Sequence, residues 1–257
     1  MSTKFRIDSQ TLTGFLTLIK TDEYPVNITQ AGWEVDYPDR GSFMFMSGKL
    51  KKESFVEYPS ITKTETIVIT NGGFLMNYLS RFSGTVELTV MDKEILIASE
   101  SKTGFYRLGV LDQSEQNDMN EKTKLTPNIS FEKIFKVPVS IFTSSTKDAS
   151  LLKKERFRLS IEGNVFQVAV GDNDFKLVEK KKLDGEFNNV TSTYGALLKE
   201  IFSSLEGEVE IGLKTYYPLR VSQTTKTGKI TYILAPIDEK SEVEEKTEEN
   251  KTEKKEE

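Results

Sequence analysis

Apolar positions along this chain recur with two periods, and the switches between them mark its elements. In "SQTLTGFLTLIK" (9–20), Leu12, Phe15, Leu16 and Ile19 fall at i, i+3, i+4 and i+7, one face of a helix. Ser9 is its expected N-cap. Asn71 is placed to cap a second helix, "GGFLMNYLSRF", with Phe74, Leu75, Tyr78, Leu79 and Phe82 on one side. "VSIFTSSTK" (139–147) predicts a short third helix, and "TYGALLKEIFSSLE" (193–206) a fourth. Between them the period is two. Strands are expected at 4–8, 26–29, 33–36, 41–50, 64–70, 85–90, 94–99, 105–111, 131–138, 156–162, 164–170 and 173–181. "EVEIGLK", "YPLRVSQ" and "KITYILAP" complete the series.

The order of elements repeats once: strand, helix, several strands, helix, strands. The repeat is one of architecture, without identity between the halves. It argues for an α+β protein of mainly antiparallel sheet, not a parallel βαβ fold. Residues 112–130 are polar with sparse apolar anchors and read as a long connector. The expected organisation is an N-terminal domain 1–111, the connector 112–130, a C-terminal domain 131–237 and a charged tail 238–257.

Charge sharpens the tail. Of the 257 residues, 238–257 hold ten Asp/Glu and five Lys, which equals the whole chain's net charge of −5. The body is therefore neutral. With Val243 as its one apolar residue, the tail cannot offset its ordering entropy and is expected to be disordered.

Candidate chemistry is sparse. The chain has no Cys and no His, which removes disulfides, thiolate and imidazole catalysis and the usual zinc sites. "NGG" (71–73) is a helix start and not a phosphate loop. "GDNDF" (171–175) lacks the ligand spacing of a calcium loop and reads as a turn. Neither a signal peptide nor a membrane-length apolar run is evident. The expectation is a soluble, intracellular binding or scaffold protein, with an enzyme using paired carboxylates or magnesium as the alternative.

Several stretches resemble the sliding DNA clamps, the proliferating cell nuclear antigen (PCNA) family, and especially its archaeal members. "KITYILAP" before acidic residues is similar to the family's last strand and tail. "TKDAS" followed by "RFRLSIEGNVFQVAVGD" resembles a helix end and hairpin. "STYGALLKEIFSSL" resembles the fourth helix, "YYPLRV" a strand carrying Pro218, and "KVP" (136–138) the step after the connector. The shared order spans residues 1–238.

The resemblance implies a clamp fold of two similar domains, three subunits closing into a ring around duplex DNA, and helices lining the hole. It implies a processivity factor for DNA polymerase and a docking platform for ligase and nuclease, with a separate clamp loader. It brings no cofactor, metal or membrane. Residues implied to face DNA are Lys20, Arg81, Lys147 and Lys199. Clamps of this family often carry lysine pairs where this chain has Thr13–Gly14, and further cations near Asn77, Ser144 and Ser203. Weak DNA affinity with a modest salt dependence follows. The implied subunit interface pairs 104–111 with 173–181 of the next copy, through Phe105, Tyr106, Leu108, Phe175 and Leu177. A pocket for partner peptides is implied at Pro38, Leu125, Pro127, Ile129, Pro218, Ile233, Ala235 and Pro236, with Ile233 where the family usually has an aromatic. The sparse inner cations leave a second reading open, a subunit of a heteromeric or regulatory clamp.

Overall fold

The computed structural model describes residues 2–38, 43–110, 129–131, 133–171 and 175–237. The chain divides into two compact units, Met1–Ser130 with Val221–Ile233, and Phe131–Arg220 with Leu234–Glu257. Residues 221–233, expected in the C-terminal domain, thus cluster with the first unit.

The first unit begins with β1 (Thr3–Asp8) and α1 (Ser9–Thr17). Strands β2 (Tyr24–Thr29), β3 (Gly32–Pro38), β4 (Met44–Lys51), β5 (Phe55–Glu57) and β6 (Glu65–Ile69) follow. Then come α2 (Gly72–Leu79), β7 (Thr85–Val90), β8 (Glu94–Ala98) and β9 (Thr103–Arg107). One antiparallel sheet has the order β5-β1-β7-β8-β9. Near the chain's end, β16 (Leu219–Thr224) and β17 (Gly228–Leu234) extend a second sheet in the order β16-β17-β4-β3-β2-β6.

The late strands join this unit because β17 lies against β4. Lys51 N–H donates to Thr227 O at 3.0 Å, and the Ser54 hydroxyl to the same oxygen at 2.7 Å. The backbones come so close that a Cβ on Gly228 would sit 2.1 Å from Lys49 O. The Tyr232 hydroxyl donates to Leu18 O, just past α1.

Helix starts follow local chemistry. Asn71 caps α2 as expected, its Oδ1 accepting from Phe74 N–H at 2.9 Å. At α1 the cap is Asp8, which accepts from Thr11 N–H at 2.9 Å. Ser9 instead lies buried, donating to Phe82 O at 3.1 Å, so a carboxylate one residue earlier takes the capping role. An N-cap lost to alanine costs about 1 kcal/mol. Asn71→Ala is therefore expected to lower the unfolding free energy by that amount in a denaturant titration. An unchanged midpoint would show the cap to be dispensable.

The second unit runs β10 (Ile134–Pro138), α3 (Ser140–Leu152), β11 (Phe157–Glu162), β12 (Val165–Gly171), β13 (Lys176–Lys182), β14 (Val190–Tyr194), α4 (Leu197–Phe202) and β15 (Glu208–Gly212). Strands β13-β12-β11-β14 form an antiparallel sheet, and β10 pairs with β15. The third helix is longer than expected, at thirteen residues. The fourth is shorter, because Tyr194 ends a strand instead of entering the helix. Its ring is buried and its hydroxyl donates to Tyr217 O at 2.8 Å; burial pushes that hydroxyl's pKa up, so it stays a donor. Phe142 of α3 stacks on Phe202 of α4 with centroids 3.6 Å apart and joins the helices over Phe166 of β12.

Candidate functional site

The four helices present an outer face of hydroxyls and few cations. On α1, Thr13 donates to Ser9 O at 2.7 Å and Thr17 to Thr13 O at 2.8 Å. On α3, Thr146 and Ser150 donate to Thr143 O and Thr146 O at 3.0 and 2.9 Å. Ser80, after α2, and Ser203, after α4, likewise donate to Asn77 O and Glu200 O at 2.7 Å. These side chains have committed their protons to the helix backbone. Toward solvent they offer acceptor lone pairs, which a phosphate cannot use.

The cations differ in availability. Lys147 on α3 and Arg81 just past α2 are exposed. Lys199 on α4 donates to Ser150 Oγ on α3 at 3.2 Å and so bridges the two helices. Lys20 lies three residues beyond α1 and is half-buried. Each unit thus offers a polyanion an exposed cation, Arg81 in the first and Lys147 in the second, beside hydroxyls already bonded to backbone carbonyls.

Among the described residues each unit also has an open sheet edge. In the first unit β9 ends its sheet, and in the second β13 ends its own. Alternation along β9 turns Phe105 outward, 63 % exposed, and turns Tyr106 inward. Tyr106 Oη accepts from Thr70 N–H and Asn71 N–H at 3.3 and 3.0 Å, ahead of α2. Leu108 is buried as well. Tyr106 and Leu108, expected at an interface, therefore belong to the core and cap machinery of the first unit. On β13 and just before it, Leu177 and Phe175, the other expected interface residues, are exposed.

The strand pattern missed two further apolar groups. Phe74 of α2 is 54 % exposed and stacks on Tyr78 and Tyr106 with centroids 5.8 and 6.3 Å away. It lies beside β9, where Tyr78 comes so near that a Cβ on Gly104 would meet its hydroxyl at 1.5 Å. Leu151 in the last turn of α3 is exposed too. The signal for Phe74 was present: a helix of eight residues has too many apolar positions for one stripe.

The residues expected to hold a partner peptide separate by burial. Ile233 is 8 % exposed and Pro38 is buried, both within the first unit, so neither side chain is open to a partner. They close the core because β17 and β3 are interior strands of their sheet. Ile129 is half-exposed, while Leu125 and Pro127 lie outside the described residues. In the second unit Pro218, Ala235 and Pro236 are half-exposed. The segment carrying Ala235 and Pro236 is fixed at both ends: Leu234 is buried and Ile237 N–H donates to Thr193 O at 2.8 Å. Among the described residues no group of three or more acidic side chains could hold a metal ion, and no helix is long and apolar enough to cross a membrane.

No protein-family model matches the chain. It is 26 % identical over 225 residues to the DNA polymerase sliding clamp of Methanobrevibacter smithii, covering 84 % of this chain and 88 % of that one. The sliding clamp of Methanothermobacter thermautotrophicus is 23 % identical with the same coverage. The structure resembles PCNA from Entamoeba histolytica, with a TM-score of 0.77, 19 % identity, and 92 % and 98 % of the two chains covered. It also resembles A. fulgidus PCNA bound to the C-terminal region of FEN-1, with a TM-score of 0.74, 17 % identity, and 92 % and 99 % covered. In sequence the chain is similar to archaeal DNA polymerase sliding clamps, and its fold is that of the PCNA structures.

Proposed function

We propose that this protein is a sliding clamp: it encircles duplex DNA, holds a DNA polymerase on its template and docks replication and repair enzymes. The observation that carries the reading is a strand edge in each unit with no further strand beside it among the described residues, bearing exposed Phe105 on one and exposed Leu177 on the other, in a chain similar to sliding clamps. Unpaired edges of this kind are an aggregation hazard unless another strand covers them. Pairing β9 of one copy with β13 of the next covers both and is head-to-tail, the geometry that closes rings. Phe74 lies beside the β9 edge and extends the apolar contact.

The chain itself supplies no catalysis in this role; a separate loader opens and closes the ring. It works in the cytoplasm, on the nucleoid. The helix faces suit sliding, because contact with phosphates positions a protein without reading sequence. Partner enzymes dock through short peptide tails on the half-exposed segment at Ala235 and Pro236, with the half-exposed Pro218 in the same unit. Partner classes are polymerase, ligase and nuclease; a nuclease tail, that of FEN-1, is bound to PCNA in one similar structure.

The test is mass in solution followed by function. A mass three times the 29.2 kDa of one chain, together with longer products from polymerase and loader on primed circular DNA, is expected. A ring that leaves product length unchanged would count against the processivity role. A second reading has its own observation. Both edges are cationic, with Lys102 and Arg107 at β9 and Lys176, Lys180, Lys181 and Lys182 against Glu179 on β13. Like charges on paired strands oppose self-association, which favours a heteromeric ring. A monomer at micromolar concentration, restored to a trimer by a different clamp subunit, selects that reading.

The DNA contact carries its own prediction. Each cation that meets a phosphate adds about 0.9 to the slope of log K against log salt. Arg81→Ala with Lys147→Ala is expected to flatten that slope by about 2 per subunit engaged, measured on linear duplex by fluorescence anisotropy. An unchanged slope removes both residues from the DNA path.

A further inference from the structure

The four-stranded sheet of the second unit has one face toward its core and one toward solvent. On β13, Leu177 and Glu179 stand opposite the buried Val170 and Val168 of β12 and share the inner face. Glu179 there accepts from the Ser144 hydroxyl of α3 at 2.5 Å. The outer face receives Lys176, Val178, Lys180 and Lys182, opposite Gly171, Ala169, Gln167 and Val165. The three lysines are exposed, and none has an ion-pair partner among the described residues.

Arg158 of β11 adds a fourth cation. It is exposed, stands opposite Ala169, and donates through Nε to the neutral Thr191 hydroxyl at 3.2 Å. The carboxylate on this face among the described strand residues is Glu162, which accepts from Gln167 Nε2 at 3.1 Å.

The same sheet is where the chain leaves the folded body. Arg158 is paired on its other side with Thr193 of β14, and Thr193 O accepts the N–H of Ile237. Three strand spacings, about 14 Å, separate β14 from β13. Residues 238–257 follow, outside the described residues, with ten Asp/Glu and five Lys. Their densest acidic block is 242–249, "EVEEKTEE", with five Glu and one Lys. It begins five residues past Ile237, a reach of about 17 Å when extended. Sign, position and reach agree.

We propose that the acidic segment 242–249 docks on the outer face of this sheet, against Lys176, Lys180, Lys182 and Arg158 of its own chain. Each contact is exposed and individually weak. The tether raises the local concentration of the carboxylates, so several weak pairs act together. Docked there, the segment covers the cationic strip and keeps free polyanions off it. The attraction is screened by salt, so the contact opens as ionic strength rises. The inference concerns one chain and does not depend on ring formation.

Zero-length carbodiimide crosslinking of the full chain at low salt, mapped by mass spectrometry, tests it. Crosslinks from the 242–249 carboxylates to Lys176, Lys180 and Lys182 are expected several-fold above those to the exposed Lys93 and Lys229, and lost at high salt. A chain ending at Ile237 is expected to elute from heparin at higher salt than the full chain. Lys176→Glu with Lys180→Glu and Lys182→Glu should remove that difference. Crosslinks spread evenly over surface lysines, or identical heparin elution with and without the tail, overturn the proposal. If the truncated chain elutes later but the triple variant keeps the difference, the tail acts elsewhere and the assignment of this face fails.

Discussion

Phe105→Asp is expected to turn the proposed self-associating chain into a folded monomer. Phe105 is 63 % exposed on β9, and among the described residues β8 is the one strand beside β9, so the side chain and one strand edge are open to a partner. Covering a phenylalanine side chain contributes about 1.5–3 kcal/mol. An aspartate there loses that contribution and must also be desolvated without a partner. The combined penalty exceeds about 2.8 kcal/mol, which weakens each contact by more than about 100-fold. A closed ring repeats the contact at every joint, so the loss compounds. Sedimentation velocity at micromolar concentration is expected to show the wild type at three times 29.2 kDa and the variant at that single mass. If the wild type associates only with a different clamp subunit, the same loss is expected in that mixture. Thermal stability should change little, because the residue is exposed in the single chain. Tyr106→Phe is the contrasting variant. It removes an acceptor from Thr70 N–H and Asn71 N–H and is expected to cost about 1 kcal/mol of stability without changing mass. Retention of the wild-type mass by Phe105→Asp sinks the edge assignment.

That contrast shows where sequence reasoning stopped. Alternation in "GFYRLGVL" identifies a strand, but not which of its two faces is covered. Phe105 and Tyr106 are both aromatic, and the choice is made by α2, whose first residues need the Tyr106 oxygen. The same limit applies at "KITYILAP". Ile233 and Ala235 are two residues apart and read as one docking motif. Yet Ile233 lies within β17, between β16 and β4, while Ala235 is past the strand's end. Helix positions were legible because four apolar residues at i, i+3, i+4 and i+7 leave little choice. Their ends were not, since a cap is a contest between neighbours: Asp8 outcompeted Ser9, and Tyr194 was held in a strand by pairing with Phe157. The three-residue β5 is too short to show a period. Phe74 was placed on the buried stripe of α2, and only the approach of Gly104 to Tyr78 shows why the aromatic row continues outward beside β9. The cations were located but not ranked, because Lys199 meets Ser150 only once α3 and α4 are packed together.

Ala235→Glu is expected to abolish the proposed docking of partner peptides while leaving mass and folding intact. Ala235 and Pro236 sit immediately past β17, half-exposed, between the buried Leu234 and the bond from Ile237 N–H to Thr193 O. Such a segment is preorganised, so a bound peptide loses little free energy to ordering it. Proline withholds its N–H and alanine is small, which leaves room for an incoming side chain and carbonyls for its backbone. A glutamate at 235 fills that room and places a charge where apolar groups must be desolvated. A cost of about 2.8 kcal/mol or more is expected, which is about 100-fold in affinity. Isothermal titration with a peptide carrying a glutamine and spaced apolar and aromatic residues, such as a nuclease C-terminal tail, measures it. Ile233→Val tests the division made by burial. As a core residue it should cost about 0.5–1.5 kcal/mol of stability and leave the peptide affinity unchanged. If Ile233→Val weakens binding while Ala235→Glu does not, the docking surface lies on the strand and not on the segment that follows it.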